Sequence, residues 1–476
     1  MQHALIFSIA KGPNLLRATL ATEGHALNEK RALWIKDPLA ILADGTKGGV
    51  VVREGRIAEL VPSGRTPVIR DAVIFDARSH VVVPGLINTH HHFFQTLTRA
   101  TALDRELFPW LKTLYPVWAG LTPDALELAA TLAMAELLLS GCTTTTDHHY
   151  LFTSELSDAI DIEIAAASRL GIRVLLTRGS MNLSDRDGGL PPESIVQDEE
   201  TILADSERLI ERYHQRGDDA MVQIALAPCS PFSATTSLMR ATADLARQKD
   251  VRLHTHLAET EDENRYCLEL LGCRPLDYLE DCGWPGKRTW LAHGIHFNDD
   301  EMLRLARAGT TISHCACSNQ LLASGCCRVC DLEGAGVRVG IGVDGSASND
   351  SSNLIQEVRA AFLLQRSRYG VSAVSHCDAL RWATTGSAAC IGRPELGEIG
   401  VGKMADLALF KLDELRFSGA GDPLAALVLC GGHRADRVMI GGEWVVENGN
   451  IGGLDVEDLM RRHSAAAHQL RRFADT

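Results

Sequence analysis

The stretch Pro84-Gly-Leu-Ile-Asn-Thr-His-His-His92 decides how this chain folds, because a short apolar run there ends in three consecutive histidines. Alternate residues of a β-strand point to the same side, so His90 and His92 share one face while His91 points away. Two imidazoles on one face make half of a metal site. A lone His-x-His is more often a polar strand end, so this interpretation depends on what the rest of the chain adds.

The apolar run around this stretch is the first of eight, and longer amphipathic segments separate them. This alternation is typical of parallel β/α units, and eight units predict a closed (β/α)8 TIM barrel of the α/β class. One separating segment, Pro123–Leu139, has helix-start signals in Thr122 and in the proline that follows it. The predicted strands are residues 81–89, 142–147, 172–177, 222–227, 251–256, 289–293, 311–314 and 337–343.

The two flanks of the barrel carry a different pattern. Residues 32–77 and 406–448 alternate with period 2 and contain glycine-bearing turns, which indicates antiparallel strands. Neither flank is long enough to bury a core alone, so we expect both to form one composite β-sandwich. The predicted division is 1–31 as an unmatched extension, 32–84 and 398–476 as the small β domain with a terminal helix, and 85–397 as the catalytic barrel.

Composition limits the partners of the chain. The 476 residues include 47 basic and 61 acidic side chains, a net charge of −14 that disfavours nucleic acid and anionic membrane surfaces. No apolar run approaches the length of about 18 residues that spans a membrane. Residues 4–10 are too short and too poorly flanked for a signal peptide, and thirteen cysteines suggest reduced thiols. We therefore expect a cytoplasmic protein that acts on a small molecule.

The remaining ligands of the metal site follow later strands. His254-Thr-His-Leu-Ala-Glu259 ends the fifth predicted strand, His293 ends the sixth and Asp344 follows the eighth. The carboxyl ends of all eight strands meet at one face of a barrel, where active sites assemble. Three imidazoles and a carboxylate from different strands suit zinc or ferrous iron, with one position left for water.

This arrangement predicts a hydrolytic mechanism. A bound cation lowers the pKa of water from about 16 toward about 7, which gives hydroxide at neutral pH. Asp344 can take the proton of that water, and Glu259 can protonate a ring nitrogen and then the leaving group. His293 can orient the water or stabilise the developing oxyanion. The alternative for Glu259 is a solvated loop carboxylate.

These motifs resemble the amidohydrolase superfamily, in the mononuclear branch that contains cytosine, guanine and S-adenosylhomocysteine deaminases and the triazine hydrolases. The resemblance covers residues 32–449 and includes S-G-C-T-T-T-T-D-H, L-A-H-G and G-V-D-G-S-A-S-N-D. It implies His90, His92, His256 and Asp344 as ligands of one divalent metal ion, zinc in preference to iron. It also implies Glu259 and His293 as catalytic partners. The fourth strand lacks the lysine that dinuclear relatives carboxylate.

Within that branch, H-H-H-F-F-Q-T-L-T-R-A and D-R-E-L-F-P-W-L most resemble 8-oxoguanine deaminases. The resemblance implies that Gln95 binds the substrate, since an amide matches the edge of an oxopurine, and that Trp110 lines the purine pocket. Guanine deaminases carry an arginine after the fourth strand, where this chain has Pro228-Cys229-Ser230. We expect deamination of 8-oxoguanine to urate by a homo-oligomer. The alternatives are guanine or isoguanine, a nucleoside of the S-adenosylhomocysteine type, or a hydroxyatrazine-like triazine.

Two other interpretations remain open on sequence alone. Five cysteines between 315 and 330 cluster closely enough for a second metal or iron–sulfur site, although packing explains them more simply. A barrel that binds a ligand without turning it over is the non-enzyme alternative.

Overall fold

The computed structural model describes residues 31–473, so the predicted extension at 1–31 lies outside the described residues except for Arg31. The strands in chain order are β1 (Leu33–Lys36), β2 (Ala40–Ile41), β3 (Gly49–Arg53), β4 (Arg56–Val61), β5 (Val73–Asp76), β6 (His80–Pro84), β7 (Leu86–Asn88), β8 (Cys142–His149), β9 (Arg173–Ser180), β10 (Val222–Pro228), β11 (Arg252–Leu257), β12 (Thr289–His293), β13 (Thr311–His314), β14 (Val339–Ile341), β15 (Leu407–Lys411), β16 (Arg437–Ile440), β17 (Glu443–Glu447) and β18 (Asn450–Ile451).

Helices connect the central strands and extend to the end of the described chain. They are α1 (Leu107–Trp118), α2 (Pro123–Leu139), α3 (Ala159–Leu170), α4 (Glu199–Tyr213), α5 (Thr236–Lys249), α6 (Glu261–Tyr266), α7 (Pro275–Asp281), α8 (Asp299–Ala308), α9 (Ala316–Leu321), α10 (Val329–Ala335), α11 (Leu354–Tyr369), α12 (His376–Arg381), α13 (Ser387–Ile391), α14 (Pro423–Leu429) and α15 (Val456–Phe473). The predicted cap of α2 is present, with the Thr122 side chain accepting a hydrogen bond from the Ala125 N–H.

The predicted barrel is confirmed. Strands β7 to β14 pair in parallel in chain order, and the Thr89 N–H donates to the Ile341 carbonyl (3.0 Å), which joins the last strand to the first. Both faces of β8 are buried throughout, as expected for a parallel strand covered by helices.

The first predicted strand differs from the structure. Residues 81–89 were expected to form one strand, but β6 ends at Pro84 and pairs with β15, while β7 begins at Leu86 and enters the barrel. Gly85 separates them, and a Cβ at this position would lie 2.2 Å from the Thr143 Oγ1 atom. The backbone changes sheets where only glycine fits against β8.

Both flanks contribute to the outer β structure, as predicted. One sheet has the order β4-β3-β1-β5, and a second has the order β18-β17-β16-β15-β6-β2 and so combines strands from both sides of the barrel sequence. A shared core joins the sheets, with Ile35 and Val50 packing in the same cluster as Leu407 and Met439. The two flanks therefore form the predicted composite sandwich, because each flank buries its apolar face against the other.

The terminal helix α15 contacts the helical turn that follows the first barrel strand. The Arg471 guanidinium donates to the Leu97 carbonyl (3.2 Å), and His463 Nε2 lies 3.0 Å from Thr96 Oγ1. Both partners belong to the helical turn Phe93–Thr98, which directly follows His92. Among residues 31–473, no helix is long and apolar enough to cross a membrane.

Candidate active site

The predicted metal ligands meet at the carboxyl ends of the barrel strands. Asp344 Oδ1 lies 3.3 Å from His90 Nε2 and 3.4 Å from His92 Nε2. His92 Nε2 in turn lies 3.2 Å from His256 Nε2. All four side chains are buried.

The tautomer of His90 is set by a chain of contacts that ends on the backbone. His254 Nδ1 lies 2.9 Å from the Trp290 carbonyl, which only accepts, so this nitrogen carries the hydrogen. Burial lowers the pKa of His254 well below 6.5, so its Nε2 is an acceptor for His90 Nδ1 at 2.8 Å. His90 therefore presents a lone pair at Nε2, a buried atom that has no hydrogen-bond partner in the described part of the chain.

The other two imidazoles are held in the same way. His92 Nδ1 donates to the His148 carbonyl (2.7 Å), and His256 Nδ1 donates to the Cys229 carbonyl (2.6 Å). Burial lowers the pKa of both rings, to about 3 for His256, so both are neutral at pH 7. The two Nε2 atoms, 3.2 Å apart, are then both acceptors, and a cation between them and Asp344 turns this repulsion into attraction. The donor set fits a divalent metal ion.

Backbone strain is concentrated at this face of the barrel. His293 and Asp344 have positive φ angles of 70° and 65°, in the left-handed region that side chains with a Cβ rarely adopt. Such conformations persist where the surrounding structure enforces them, as at active sites. The strain lets the two side chains leave the strand ends toward the cluster.

Glu259 lies against the cluster, where an acid–base group is needed. Burial raises its pKa to about 7, and its Oε2 lies 3.6 Å from His293 Nε2. Glu263 on α6 holds the loop by accepting from the Ala258 and Glu259 N–H groups (2.9 and 2.8 Å). Glu259 is 4% exposed, so it is not the solvated loop carboxylate considered as its alternative.

His293 is oriented by a residue that sequence reasoning did not single out. Its Nδ1 lies 2.9 Å from the Asn319 Oδ1 atom, which leaves Nε2 facing Glu259 and Asp344. Burial alone would lower the pKa of His293, but the two carboxylates outweigh burial and raise it. When it carries a proton on Nε2, His293 can donate a hydrogen bond toward Glu259 and Asp344.

Both predicted substrate-binding residues line the same pocket as the catalytic candidates. Gln95 and Trp110 face it together with Glu259 and His293. Gln95 approaches the backbone closely, since a Cβ on Gly345 would lie 1.9 Å from Gln95 Oε1. The glycine after Asp344 is therefore required for the position of the amide.

The pocket also contains residues that the sequence did not reveal. The Tyr115 hydroxyl is buried and has no hydrogen-bond partner within residues 31–473, and Tyr150 OH lies 3.5 Å from Gln95 Nε2. Ser348 joins them on the polar side. Tyr115 lies within an apolar helix, α1, where a tyrosine is more often core packing, so no sequence signal marks it.

His148 is a further imidazole that the sequence prediction omitted. Its Nε2 donates to the Ala227 carbonyl (2.9 Å), and its ring stacks on His256 with centroids 4.8 Å apart. Its Nδ1 is buried without a partner in the described chain. Its place at the end of β8 in T-T-T-T-D-H-H was the available signal.

The cysteine cluster does not assemble a metal site of its own. Of the five cysteines from 315 to 330, only Cys315 belongs to a set of potential ligands among the described residues, together with His293 and Asp344. Burial raises the pKa of the Cys315 and Cys327 thiols, which disfavours the thiolate that metals bind.

Fold and site together define a metal-dependent hydrolase built on a (β/α)8 barrel. Residues 81–445 match the Amidohydrolase family, and the chain belongs to that family. It is 61% identical to an 8-oxoguanine deaminase of Pseudomonas aeruginosa, over 92% of this chain and 98% of that protein. It is 38% identical to a hydroxydechloroatrazine ethylaminohydrolase of a Pseudomonas species, over 87% and 89% of the two chains.

A solved structure agrees with the architecture. The atrazine chlorohydrolase of Arthrobacter aurescens, complexed with zinc, superposes with a TM-score of 0.85 at 31% identity, over 91% of this chain and all of that one.

Proposed function

We propose that this chain hydrolytically deaminates 8-oxoguanine to urate and ammonia, with one metal ion held by His90, His92, His256 and Asp344. The observation that carries the proposal is the convergence of acceptor atoms from these four side chains beside Glu259, a buried carboxyl with a pKa of about 7. The strong similarity to an 8-oxoguanine deaminase supports the substrate.

Zinc is the metal we propose, with ferrous iron as the alternative, because both accept imidazole nitrogen and carboxylate oxygen. The zinc-complexed relative supports zinc. A cation bound here supplies Lewis acidity, which lowers the pKa of water from about 16 to about 7.

The chain's own groups move the protons. Asp344 accepts a proton from the attacking water as its oxygen adds to the carbon that carries the amino group. Glu259 first delivers its own proton to the adjacent ring nitrogen. It then takes the remaining hydroxyl proton of the added water and passes it to the amino group, which leaves as ammonia as the carbonyl forms. The proton held by Asp344 returns to Glu259 and restores both groups. His293 donates a hydrogen bond to the oxygen as charge develops on it.

The pocket suits a planar, polar heterocycle. Gln95, Tyr150 and Ser348 provide donors and acceptors on one side, while Trp110 and Phe232 provide aromatic surface. An amide pairs with the N–H and C=O edge of an oxopurine.

A substrate panel tests the proposal. Release of ammonia from 8-oxoguanine, guanine, isoguanine and S-adenosylhomocysteine, and release of ethylamine from hydroxyatrazine, are measured on protein of known metal content. We expect the highest kcat/KM for 8-oxoguanine. Turnover of a triazine or nucleoside with silence on every purine would reject the purine assignment, and silence on the whole panel would favour the ligand-binding alternative.

We also propose that the protein works in the cytoplasm as a homo-oligomer. Thirteen cysteines, all unpaired in the described structure, are consistent with a reducing compartment. The net charge of −14 supports a small-molecule substrate rather than nucleic acid. Light scattering on the purified protein measures the oligomeric state.

A further inference from the structure

A basic cleft lies at the end of the barrel opposite the candidate active site. It has a volume of about 650 Å³, and its lining includes residues at or just before the amino-terminal ends of β10, β11 and β12. His256 and His293 lie toward the other ends of β11 and β12. A ligand in this cleft would therefore bind apart from the metal ligands.

Positive charge is concentrated in the cleft, although the chain as a whole carries a net charge of −14. Five of the lining side chains are basic, and they are Arg216, Arg247, Arg252, Lys287 and Arg288. Among the described residues, the one acidic residue in the lining is Asp250, and Asp244 pairs with Arg247 at 2.9 Å. These two carboxylates leave a surplus of three positive charges.

Arg252 carries a partly buried positive charge that no carboxylate of residues 31–473 neutralises. Its guanidinium lies over the Trp290 ring, 5.7 Å from the centroid, and donates to the Cys390 carbonyl (2.5 Å). Burial lowers the pKa of Arg252 to about 10, so the group is still charged at pH 7. A buried cation is costly unless an anion compensates it, which indicates a missing counter-ion.

The other cations lie around the same space. Arg216 and Arg288 both reach Asp250 (3.4 and 3.1 Å), which holds the two guanidinium groups close together. Lys287 is exposed, and it forms no ion pair with any residue from 31 to 473. The planar fork of an arginine matches the oxygens of a phosphate group, and a lysine adds a point charge.

We propose that this cleft binds a phosphate ligand with two or more negative charges, either free diphosphate or a nucleoside phosphate. A surplus of three positive charges exceeds what one carboxylate can neutralise. The volume lies within the range of about 300–1,000 Å³ that is typical of small-molecule sites. The site is separate from the metal centre, so this proposal does not rest on the substrate proposed above.

A purely structural role for the arginines is the competing explanation. Arg216 donates to the Lys249 carbonyl at the end of α5, and Arg252 donates to the Cys390 carbonyl in α13. Such contacts stabilise the carboxyl ends of helices. They do not explain Lys287, and a purely structural role predicts no affinity for phosphate.

Isothermal titration calorimetry of the metal-loaded protein at physiological ionic strength tests the proposal, with pyrophosphate and adenosine diphosphate as probes. We expect the parent to bind one equivalent of at least one probe. Lys287→Glu should weaken that binding about tenfold or more, because a charged contact is lost and a repulsive one replaces it. Arg252→Gln should weaken it by at least as much. Lys47→Glu is the matched control, with the same charge change at an exposed lysine just before β3, and should keep the parent affinity.

The two probes distinguish the possible ligands. Equal affinity for both assigns the site to the diphosphate group, and tighter binding of adenosine diphosphate assigns it to a nucleotide. Binding of neither probe by the parent would overturn the proposal. Unchanged affinity in Lys287→Glu or in folded Arg252→Gln would place the anion elsewhere, such as at the metal centre, and would overturn it too. So would an equal loss in Lys47→Glu, which would show a general effect of net charge.

Discussion

At the scale of single residues, Glu259 is the group whose chemistry the mechanism depends on most. Replacing it with glutamine removes the proton carrier but keeps the shape, so we expect kcat to fall about 10²–10⁴-fold. The metal content should stay at the parent level, because Glu259 is not among the converging ligands. Steady-state ammonia release together with metal analysis checks both statements. A variant as fast as the parent would show that another group carries the proton.

Tyr115 is the pocket residue for which we predict a role in substrate recognition. Its hydroxyl is buried and has no partner among the described residues, so a bound substrate can provide one. Removing this hydroxyl in Tyr115→Phe should cost the complex one hydrogen bond, about 1.5 kcal/mol, which is roughly a tenfold fall in kcat/KM. The free protein should be as stable as the parent or slightly more stable.

The control for this variant is Tyr278→Phe on α7, whose hydroxyl lies 3.3 Å from Thr236 Oγ1 outside the pocket. It should leave kcat/KM unchanged. An equal kcat/KM in Tyr115→Phe and in the parent would mean that Tyr115 contributes to packing and not to substrate recognition.

The sequence was sufficient to identify residues whose positions follow from strand geometry. These residues either share a face of a strand by alternation or lie at its carboxyl end. His90, His92 and Asp344 could be found because the period of a strand and the geometry of a barrel determine where they lie. Tyr115 and Asn319 could not, because nothing local distinguishes a tyrosine that faces a pocket from one that faces a core. Their roles depend on tertiary contacts between distant segments.

At the scale of elements, the change of sheet at Gly85 is a tightly packed junction. A methyl group there would lie 2.2–2.8 Å from three side-chain atoms of Thr143 on β8. We expect Gly85→Ala to lower the free energy of unfolding by about 1–3 kcal/mol, as overpacking does. Denaturant unfolding measures this change.

Gly334→Ala in α10 is the control, because a Cβ there meets nothing within 4 Å, and we expect it to be neutral or stabilising. Adding Thr143→Ala to Gly85→Ala should recover part of the loss, since it removes the two nearest of the three atoms. A full-length, equally stable Gly85→Ala protein would show that the backbone relaxes away from β8.

The junction also shows why element boundaries were harder to predict than elements. Residues 81–87 contain no polar side chain, and hydrophobicity does not record whether a strand pairs with β15 or with β8. Pairing partners are non-local, so the sequence predicted the strand but not its division.

At the scale of the whole molecule, the two ends of the described chain meet the barrel in ways the sequence only partly predicts. Period-2 patterns in both flanks predicted the composite sandwich, which the six-stranded sheet confirms. The contact of α15 with the turn Phe93–Thr98 was not predicted, because an amphipathic pattern shows that a helix has a buried face but not what covers it.

That contact predicts a pH dependence. Burial, with Arg99 and Arg471 nearby, lowers the pKa of His463 to about 4, whereas an unfolded histidine titrates near 6.5. Below pH 6.5 the unfolded chain binds a proton that the docked helix excludes, so stability is complete above that pH and is lost as pH falls toward 4. This one histidine accounts for a loss of about 1 kcal/mol at pH 5.5 relative to pH 7.5.

Hydrogen exchange resolved by segment isolates this effect from the metal ligands, which also take up protons in acid. Between pH 7.5 and 5.5, after correction for intrinsic exchange rates, protection should fall together in α15 and in the turn Phe93–Thr98, because Thr96 and Leu97 contact the helix. His463→Gln should remove most of this pH dependence, and His468→Gln, at an exposed position of the same helix, should keep it. If α15 loses protection while the turn keeps it, the helix is not what holds the segment that bears Gln95.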